Sequence, residues 1–149
     1  MKIEGGCHCG AISFEADVDP DRVALCHCTD CQQISGAPYR ASVPALAEKL
    51  TLRGTPKHYV KTAESGNKRL HGFCGECGSA IYATTPDATT SDATTSDDSR
   101  VFNLRVGAIK QRAALVPKIQ GWCRSAMPWI NDLASIPKVP DERLAAKKS

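Results

Sequence analysis

Residues 26–36 read Cys-His-Cys-Thr-Asp-Cys-Gln-Gln-Ile-Ser-Gly, and the rest of the chain is organised around them. Three cysteines, at positions 26, 28 and 31, fall within six residues. A structural zinc site takes four protein ligands, so this triplet is one ligand short of a closed tetrahedral shell. The triplet therefore predicts either a site with an open fourth position or a site that is completed from elsewhere in the chain.

Four further cysteines stand in two glycine-flanked pairs, one upstream and one downstream of the triplet. The pairs read Gly6-Cys7-His8-Cys9-Gly10 and Phe73-Cys74-Gly75-Glu76-Cys77-Gly78. Glycine permits the tight turns that bring backbone and thiolates close to an ion. Four thiolates complete a tetrahedral zinc shell, and the binding free energy of such an ion contributes to folding. We therefore predict a structural zinc on Cys7, Cys9, Cys74 and Cys77.

Three interpretations remain for Cys26, Cys28 and Cys31. An open zinc site, completed by water or substrate, is typical of catalytic zinc and is the interpretation we favour. His27 or Cys123 could instead close the shell. However, an extended Cys-x-Cys directs the side chain of His27 away from its neighbours, and a lone cysteine such as Cys123 is most often an inert buried thiol. A redox-active trio without metal is the third interpretation.

Composition limits the class of protein. The 149 residues suit one domain, which we place at 1–140 with a charged tail at 141–149. Aromatic residues make up only 5%, so the core should be mainly aliphatic.

The formal charge of +3 is scattered and argues against nucleic-acid binding. The sequence has neither an apolar membrane span nor a secretory leader, which predicts a cytoplasmic protein without a membrane partner. Eight cysteines in that setting favour metal binding over disulfides.

Alternating apolar residues predict a mainly β fold of antiparallel sheets. Ile12 and Phe14 share one face of a strand, as do Phe102, Leu104 and Val106 of another. Strands are predicted at 2–4, 11–16, 22–26, 39–43, 50–53, 58–61, 68–73, 79–83, 101–106 and 119–123. One insertion is predicted at 84–99, because 87–91 and 92–96 repeat Asp-Ala-Thr-Thr-Ser and contain no large apolar residue.

One short helix is predicted directly after the triplet, from residue 29 to residue 35. Thr29 and Gln32 fit a capping box at its start, and Gly36 ends it. Cys31 would lie in the first turn, where the positive end of the helix dipole lowers the pKa of a thiol. The helix is therefore expected to favour a thiolate at Cys31.

Other prominent side chains receive ordinary structural interpretations. Trp122 and Trp129 are expected to close the core, with a role as a substrate-cleft wall as the alternative. His8 is expected to be solvated, and His58 and His71 to be strand histidines. The basic residues at 57, 61, 68 and 69 are expected to form a solvated strand face rather than a carboxylate site.

The three cysteine motifs, in this order, resemble those of the glutathione-dependent formaldehyde-activating enzyme family, which includes centromere protein V. The resemblance covers residues 1 to about 137 and extends to Ser35-Gly36, Val106-Gly107 and Pro128-Trp129. It implies a β-tent fold with two zinc ions, a structural one on the outer four cysteines and a catalytic one on Cys26, Cys28 and Cys31. It also implies condensation of formaldehyde with glutathione to S-hydroxymethylglutathione, a carbon–sulfur lyase activity. It assigns no residue to glutathione recognition.

The predicted function is that of a zinc-dependent carbon–sulfur lyase-type enzyme acting on a small thiol/aldehyde adduct. Three thiolates leave a bound Zn²⁺ with a net charge of −1, which suits a soft thiolate ligand better than water activation. The predicted partners are a small thiol or aldehyde, with glutathione among the candidates. The alternative is a non-catalytic, zinc-stapled binding or scaffold protein.

Overall fold

The computed structural model describes residues 1–63, 66–86 and 100–139. Within these ranges the chain forms ten strands and one α-helix, α1, joined by turns and short 3-10 segments. The strands are β1 Lys2–Gly6, β2 Ser13–Asp17, β3 Ala24–Cys26, β4 Arg40–Leu46, β5 Leu50–Arg53, β6 Lys57–Thr62, β7 Lys68–Phe73, β8 Ala80–Thr84, β9 Val101–Arg105 and β10 Ile119–Gly121; α1 spans Thr29–Ser35. The prediction of a mainly β fold with one short α-helix after the triplet is confirmed.

The smaller sheet contains β1, β2 and β5, and all of its pairings are antiparallel. Gly5 pairs with Phe14 in this sheet. A Cβ on Gly5 would lie 2.2 Å from the Phe14 ring and 2.4 Å from the Ala108 carbonyl oxygen. Gly5 therefore lets the Phe14 ring lie directly over β1, where it fills the core.

The larger sheet has seven strands in the order β10-β3-β4-β9-β8-β7-β6. The strands pair antiparallel except β10, which runs parallel to β3 and places Gly121 opposite Cys26. The predicted antiparallel arrangement therefore has one exception. It arises because β9 and β10 run in the same direction, and residues 106–118 carry the chain from the middle of the sheet to its edge.

An aliphatic core joins the two sheets. Residues from both sheets share one buried cluster, which includes Ile3, Phe14, Val43, Leu70, Ile81, Tyr82, Phe102, Leu104 and Ile109. Trp122 and Trp129 stay outside it, with exposed fractions of 54% and 49%. The expectation that these tryptophans close the core is therefore wrong, because aliphatic side chains together with Phe14, Tyr82 and Phe102 already fill it.

The start of α1 differs from the predicted capping box. Cys28, rather than Thr29, is the N-cap residue, and its sulfur accepts the backbone N–H of Cys31 at 3.3 Å. The Gln32 amide does not turn back to the helix start in a box with Thr29. It donates to the carbonyls of His27 and Ser125, each at 2.7 Å. Gly36 ends the helix with φ 63°, as predicted.

The predicted insertion at 84–99 begins slightly too early. Thr84 belongs to β8, is fully buried and donates its hydroxyl hydrogen to the Val101 carbonyl on β9 at 2.9 Å. Residues 87–99 and the predicted tail at 141–149 lie outside the described residues. Among the described helices, none has the length and apolar character that a membrane crossing requires.

Candidate metal centres

The first cysteine cluster forms where the turn after β1 meets the turn between β7 and β8. The sulfur atoms of Cys7, Cys9, Cys74 and Cys77 all lie within 4.8 Å of one another. The Cys7–Cys9 sulfur distance is 3.5 Å, and the Cys9–Cys74 distance is 3.7 Å. A tetrahedron with zinc–sulfur bonds of about 2.3 Å has an edge of about 3.8 Å. Both the donor type and the spacing therefore fit a zinc ion.

Backbone and side-chain donors support the sulfurs of this outer cluster. The Ile12 N–H donates to the Cys7 sulfur at 3.1 Å. The Ser79 oxygen accepts the His8 N–H at 3.0 Å and lies 3.3 Å from the Cys77 sulfur, to which its hydroxyl donates when Cys77 is a thiolate. Hydrogen bonds from Ser79, and from the backbone of Cys9, lower the pKa of Cys77 to about 5. Sequence reasoning missed Ser79, although it lies only two residues after the Cys-x-x-Cys motif.

The second cluster contains the central triplet. Cys26 ends β3, Cys28 caps α1 and Cys31 lies in the first turn of α1. Their three sulfurs again lie within 4.8 Å of one another. Extended backbone followed by a helical turn brings the three side chains together. This donor set also suits a zinc ion.

The structure places neither suggested fourth ligand in this group. The His27 ring is buried and lies 2.8 Å from the Gln120 side-chain oxygen. Cys123 is exposed and donates its S–H to the Gln120 carbonyl, so the expectation of a buried thiol is wrong. Among the described histidine, cysteine and acidic side chains, only the triplet itself forms the second group.

The helix start acts mainly on Cys28, which differs from the sequence expectation for Cys31. Burial and the neighbouring Cys28 and Cys26 sulfurs raise the pKa of the Cys31 thiol to about 12. Burial opposes ionisation of Cys28, but the Cys31 N–H and the other two sulfurs lower the pKa of Cys28. Negative charge in the triplet is therefore held first at the N-cap sulfur.

Polar contacts fasten the C-terminal segment beside the triplet. His27 and Gln32 both bond to it, through Gln120 and Ser125 respectively. The backbone N–H of His27 also donates to the Gly121 carbonyl at 3.0 Å. These contacts place Trp122 and Arg124 at the wall of the cleft that the triplet faces.

This cleft has a volume of about 880 Å³ and is strongly basic. The basic residues among its described lining are Arg22, Arg40, Lys61, Arg69, Arg105 and Arg124. Asp30 is the one acidic residue of that lining, and it is ion-paired with Lys61. Two of the four strand cations that we expected to be solvated, Lys61 and Arg69, therefore line the cleft.

Trp122 forms part of the cleft wall in an unusual backbone conformation. Its φ of 57° and ψ of 38° lie in the left-handed region, which is a strained conformation for a large side chain. The Arg124 guanidinium lies 4.7 Å from the centre of its ring. The cleft-wall role, which was the alternative for Trp122, is the position observed.

Comparisons with known proteins agree with this geometry. The sequence model of the family described as glutathione-dependent formaldehyde-activating enzyme matches residues 2–125. A Halomonas elongata protein that carries the same family name is 30% identical over 91 residues, and an uncharacterized lyase of Schizosaccharomyces pombe is 26% identical over 81 residues. These matches cover 58% and 54% of this chain, and span 58% and 56% of the two relatives.

A solved structure has a similar fold. The crystal structure of a Rhodobacter sphaeroides protein superposes with a TM-score of 0.54 at 17% sequence identity. The superposition covers 78% of this chain and 98% of the other. Because the family model matches most of the sequence, the chain belongs to the family of glutathione-dependent formaldehyde-activating enzymes.

Proposed function

We propose that the protein is a zinc-dependent enzyme of the carbon–sulfur lyase type that makes and breaks a small thiol/aldehyde adduct. S-hydroxymethylglutathione, formed from glutathione and formaldehyde, is the candidate adduct. One observation carries the proposal. Three cysteine sulfurs lie within 4.8 Å of one another at a cleft of about 880 Å³, and the described residues place no fourth histidine, cysteine or acidic ligand in their group.

The two clusters receive different roles in this proposal. Cys7, Cys9, Cys74 and Cys77 hold a structural zinc, since four protein sulfurs leave no position for a substrate. Cys26, Cys28 and Cys31 hold the catalytic zinc and leave its fourth position to the substrate. When bound there, zinc supplies the positive charge that stabilises a substrate thiolate near neutral pH.

The reaction forms one carbon–sulfur bond. The thiol sulfur attacks the aldehyde carbon, the carbonyl electron pair moves to oxygen, and that oxygen receives the proton released by the thiol. The lyase direction reverses each step. The chain contributes the position of the three sulfurs, which β3 and the start of α1 fix. Its basic lining attracts an anionic thiol, and such a field raises the local concentration of substrate.

The test is the Cys28→Ser variant. We expect its zinc content to fall from two ions per chain to one, and adduct formation from glutathione and formaldehyde to fall at least about 100-fold, as expected for loss of a catalytic metal. Cys123→Ser is the matched control, because Cys123 is an exposed thiol outside both clusters, and it should keep both zinc content and activity.

Two results would contradict the proposal. An unchanged zinc content in Cys28→Ser would mean that the triplet is not a zinc site. A wild-type protein with two zinc ions that forms no adduct from any small thiol and formaldehyde would favour the non-catalytic scaffold.

A further inference from the structure

Three buried side chains of the cleft form a cluster of hydrogen-bond donors. Arg40 on β4 and Arg105 on β9 each place a terminal guanidinium nitrogen 3.3 Å from the same atom, Nδ1 of His71 on β7. All three residues are more than nine-tenths buried, with exposed fractions of 5%, 8% and 9%. All three line the cleft. Two cations therefore meet at one imidazole below the protein surface.

The hydrogen-bond roles in this cluster follow from the donor inventory. Guanidinium groups only donate, so Nδ1 of His71 must be the acceptor and the ring hydrogen must be on Nε2. Burial, and then the charges of Arg105 and Arg40, lower the pKa of His71 to about 4, which keeps the ring neutral at pH 7. His71 Nε2 is therefore a donor.

Several donors of the cluster are buried and have no acceptor among the described residues. They are Nε and Nη2 of Arg40, Nε of Arg105 and Nε2 of His71. Burying an unpaired donor destabilises a protein, and it does so more strongly when the group is charged. A set of unpaired donors with two positive charges is the complement of an oxyanion.

The described residues do not supply that oxyanion. None of the described ion pairs includes Arg40 or Arg105, and Asp30 is engaged by Lys61. The thiolates of the triplet are the nearest source of negative charge, because Cys26 pairs with Arg40 across β3 and β4. A zinc ion with three thiolates carries a net charge of −1, which would neutralise only one of the two positive guanidinium charges.

The position of His71 shows which of two cavities the buried guanidinium groups face. Arg40 and Arg105 also line a second cavity, on the side of the outer cysteine cluster. His71 lines the first cleft but not the second cavity. Both guanidinium groups contact His71, so they meet on the side of the first cleft. The cluster therefore faces the same cleft as the triplet, and its Arg40 lies on the strand next to that of Cys26.

We propose that Arg40, His71 and Arg105 form an oxyanion subsite that binds a carboxylate of the thiol substrate while its sulfur lies at the triplet. This inference rests on the proposed function, and it narrows the substrate class to thiols with a carboxylate a few bonds from the sulfur. Neutral thiols of the same size would leave the buried donors unpaired and would bind less well.

Calorimetry on the zinc-loaded protein tests the subsite without requiring catalysis. S-methylglutathione has both carboxylates but no free thiol, and its diethyl ester has neither carboxylate. We expect the acid to bind at least about tenfold more tightly than the ester, as charge-assisted hydrogen bonds predict. The preference should persist in high salt, because buried charges are screened less than surface charges.

The variant Arg105→Met should remove most of this preference. Arg105→Lys keeps the positive charge but loses the planar guanidinium that donates two parallel hydrogen bonds, so it should retain part of the preference. Arg53→Met is the matched control, since Arg53 is an exposed arginine on β5, and it should keep the full preference. Zinc content and thermal unfolding of each variant show whether it has folded. With glutathione as substrate, Arg105→Met should raise KM more than it lowers kcat.

Equal binding of acid and ester to the wild type would overturn the subsite, as would an equal loss of both ligands in a folded Arg105→Met protein. No measurable binding of S-methylglutathione at millimolar concentration would also overturn it. These outcomes are distinct from failure of the proposed function. A protein that prefers the acid but forms no adduct has the subsite without the lyase activity, and one that forms adducts without preferring the acid has the activity without the subsite.

Discussion

Arg40 lies directly opposite Cys26 in the antiparallel pair of β3 and β4, so a buried guanidinium and a sulfur of the central triplet are cross-strand neighbours. Facing residues on paired strands lie about 4.5–5.5 Å apart at their Cα atoms. Side chains of facing residues point to the same side of the sheet, so a ligand in the cleft can contact both groups at once. The substrate that fits this arrangement carries both a soft sulfur donor and an anion.

Removing Arg105 should stabilise the ligand-free protein. Arg105→Met deletes one of two buried cations that both donate to Nδ1 of His71, together with the Arg105–Ser42 hydrogen bond, and keeps most of the side-chain length. We expect the free energy of unfolding to rise by about 1 kcal/mol, because an uncompensated buried charge is lost. Arg53→Met should change it by less than about 0.5 kcal/mol, since Arg53 forms an exposed ion pair with Glu15. Denaturant titration measures both, and a large loss of stability in Arg105→Met would assign the residue a structural role.

Ser79→Ala should weaken the outer metal site. The substitution removes the hydroxyl that lies 3.3 Å from the Cys77 sulfur and accepts the His8 N–H. We expect about a 10–100-fold loss of zinc affinity, which is typical when a partner of a metal ligand is removed. Competition with a chelator, in a Cys28→Ser background, reports on the outer cluster alone.

Ser135→Ala is the control for this change, because the Ser135 hydroxyl bonds locally to the Asp132 carbonyl, away from both clusters. It should leave zinc affinity unchanged. An equal affinity of the Ser79 and Ser135 variants would show that the hydroxyl does not support the site.

Trp122 allows backbone strain and ring contact to be separated. Trp122→Gly and Trp122→Ala both delete the ring, but only glycine adopts φ 57° without strain. We expect the glycine variant to be more stable than the alanine variant by about 1 kcal/mol. Both should raise KM for the thiol equally if the ring forms the cleft wall. Thermal unfolding and steady-state kinetics measure the two effects, and equal stability of the two variants would exclude strain.

His71 should make the protein less stable in mild acid. The pKa of His71 is lowered to about 4 in the folded state, compared with about 6.5 for an unfolded histidine. Between these values the unfolded chain binds more protons, so stability falls as the pH falls from about 6.5 to 4, by up to about 3 kcal/mol. His71→Gln lacks this titration, and its unfolding free energy should decrease less over the same range. Identical pH profiles for the two proteins would exclude the effect.

Local sequence signals were sufficient for much of the fold. The strands at 50–53 and 68–73 were predicted with the bounds that the structure gives them. Alternation marks the faces of β5, and the glycine-flanked cysteines mark the turn where β7 ends. The short helix after the triplet was predicted from local signals as well, because Gly36 and Pro38 stop it after two turns. These elements depend on neighbouring residues, so sequence reasoning can reach them.

The donors of the cleft could not be found in the same way. Arg40 and Arg105 alternate with apolar residues along β4 and β9, and that pattern is typical of a solvated strand face. Their burial follows from the sheet order, which places β3, β4 and β9 side by side beneath the C-terminal segment. The misplacement of Trp122 and Cys123 has the same origin. Both residues follow β10, whose parallel pairing with β3 was not predicted.

The separation of the outer cysteines also sets an order of events during synthesis. Cys7 and Cys9 leave the ribosome first, then the whole triplet, and only later Cys74 and Cys77. At about 5–20 residues per second, roughly 2–9 s pass between Cys31 and Cys77. During that interval five thiols are present without their last two partners. If the outer cysteines and the triplet bind one zinc ion each, as proposed, an ion that is captured early can be shared between the triplet and the first pair until the β7–β8 turn arrives and separates the ligands into four and three.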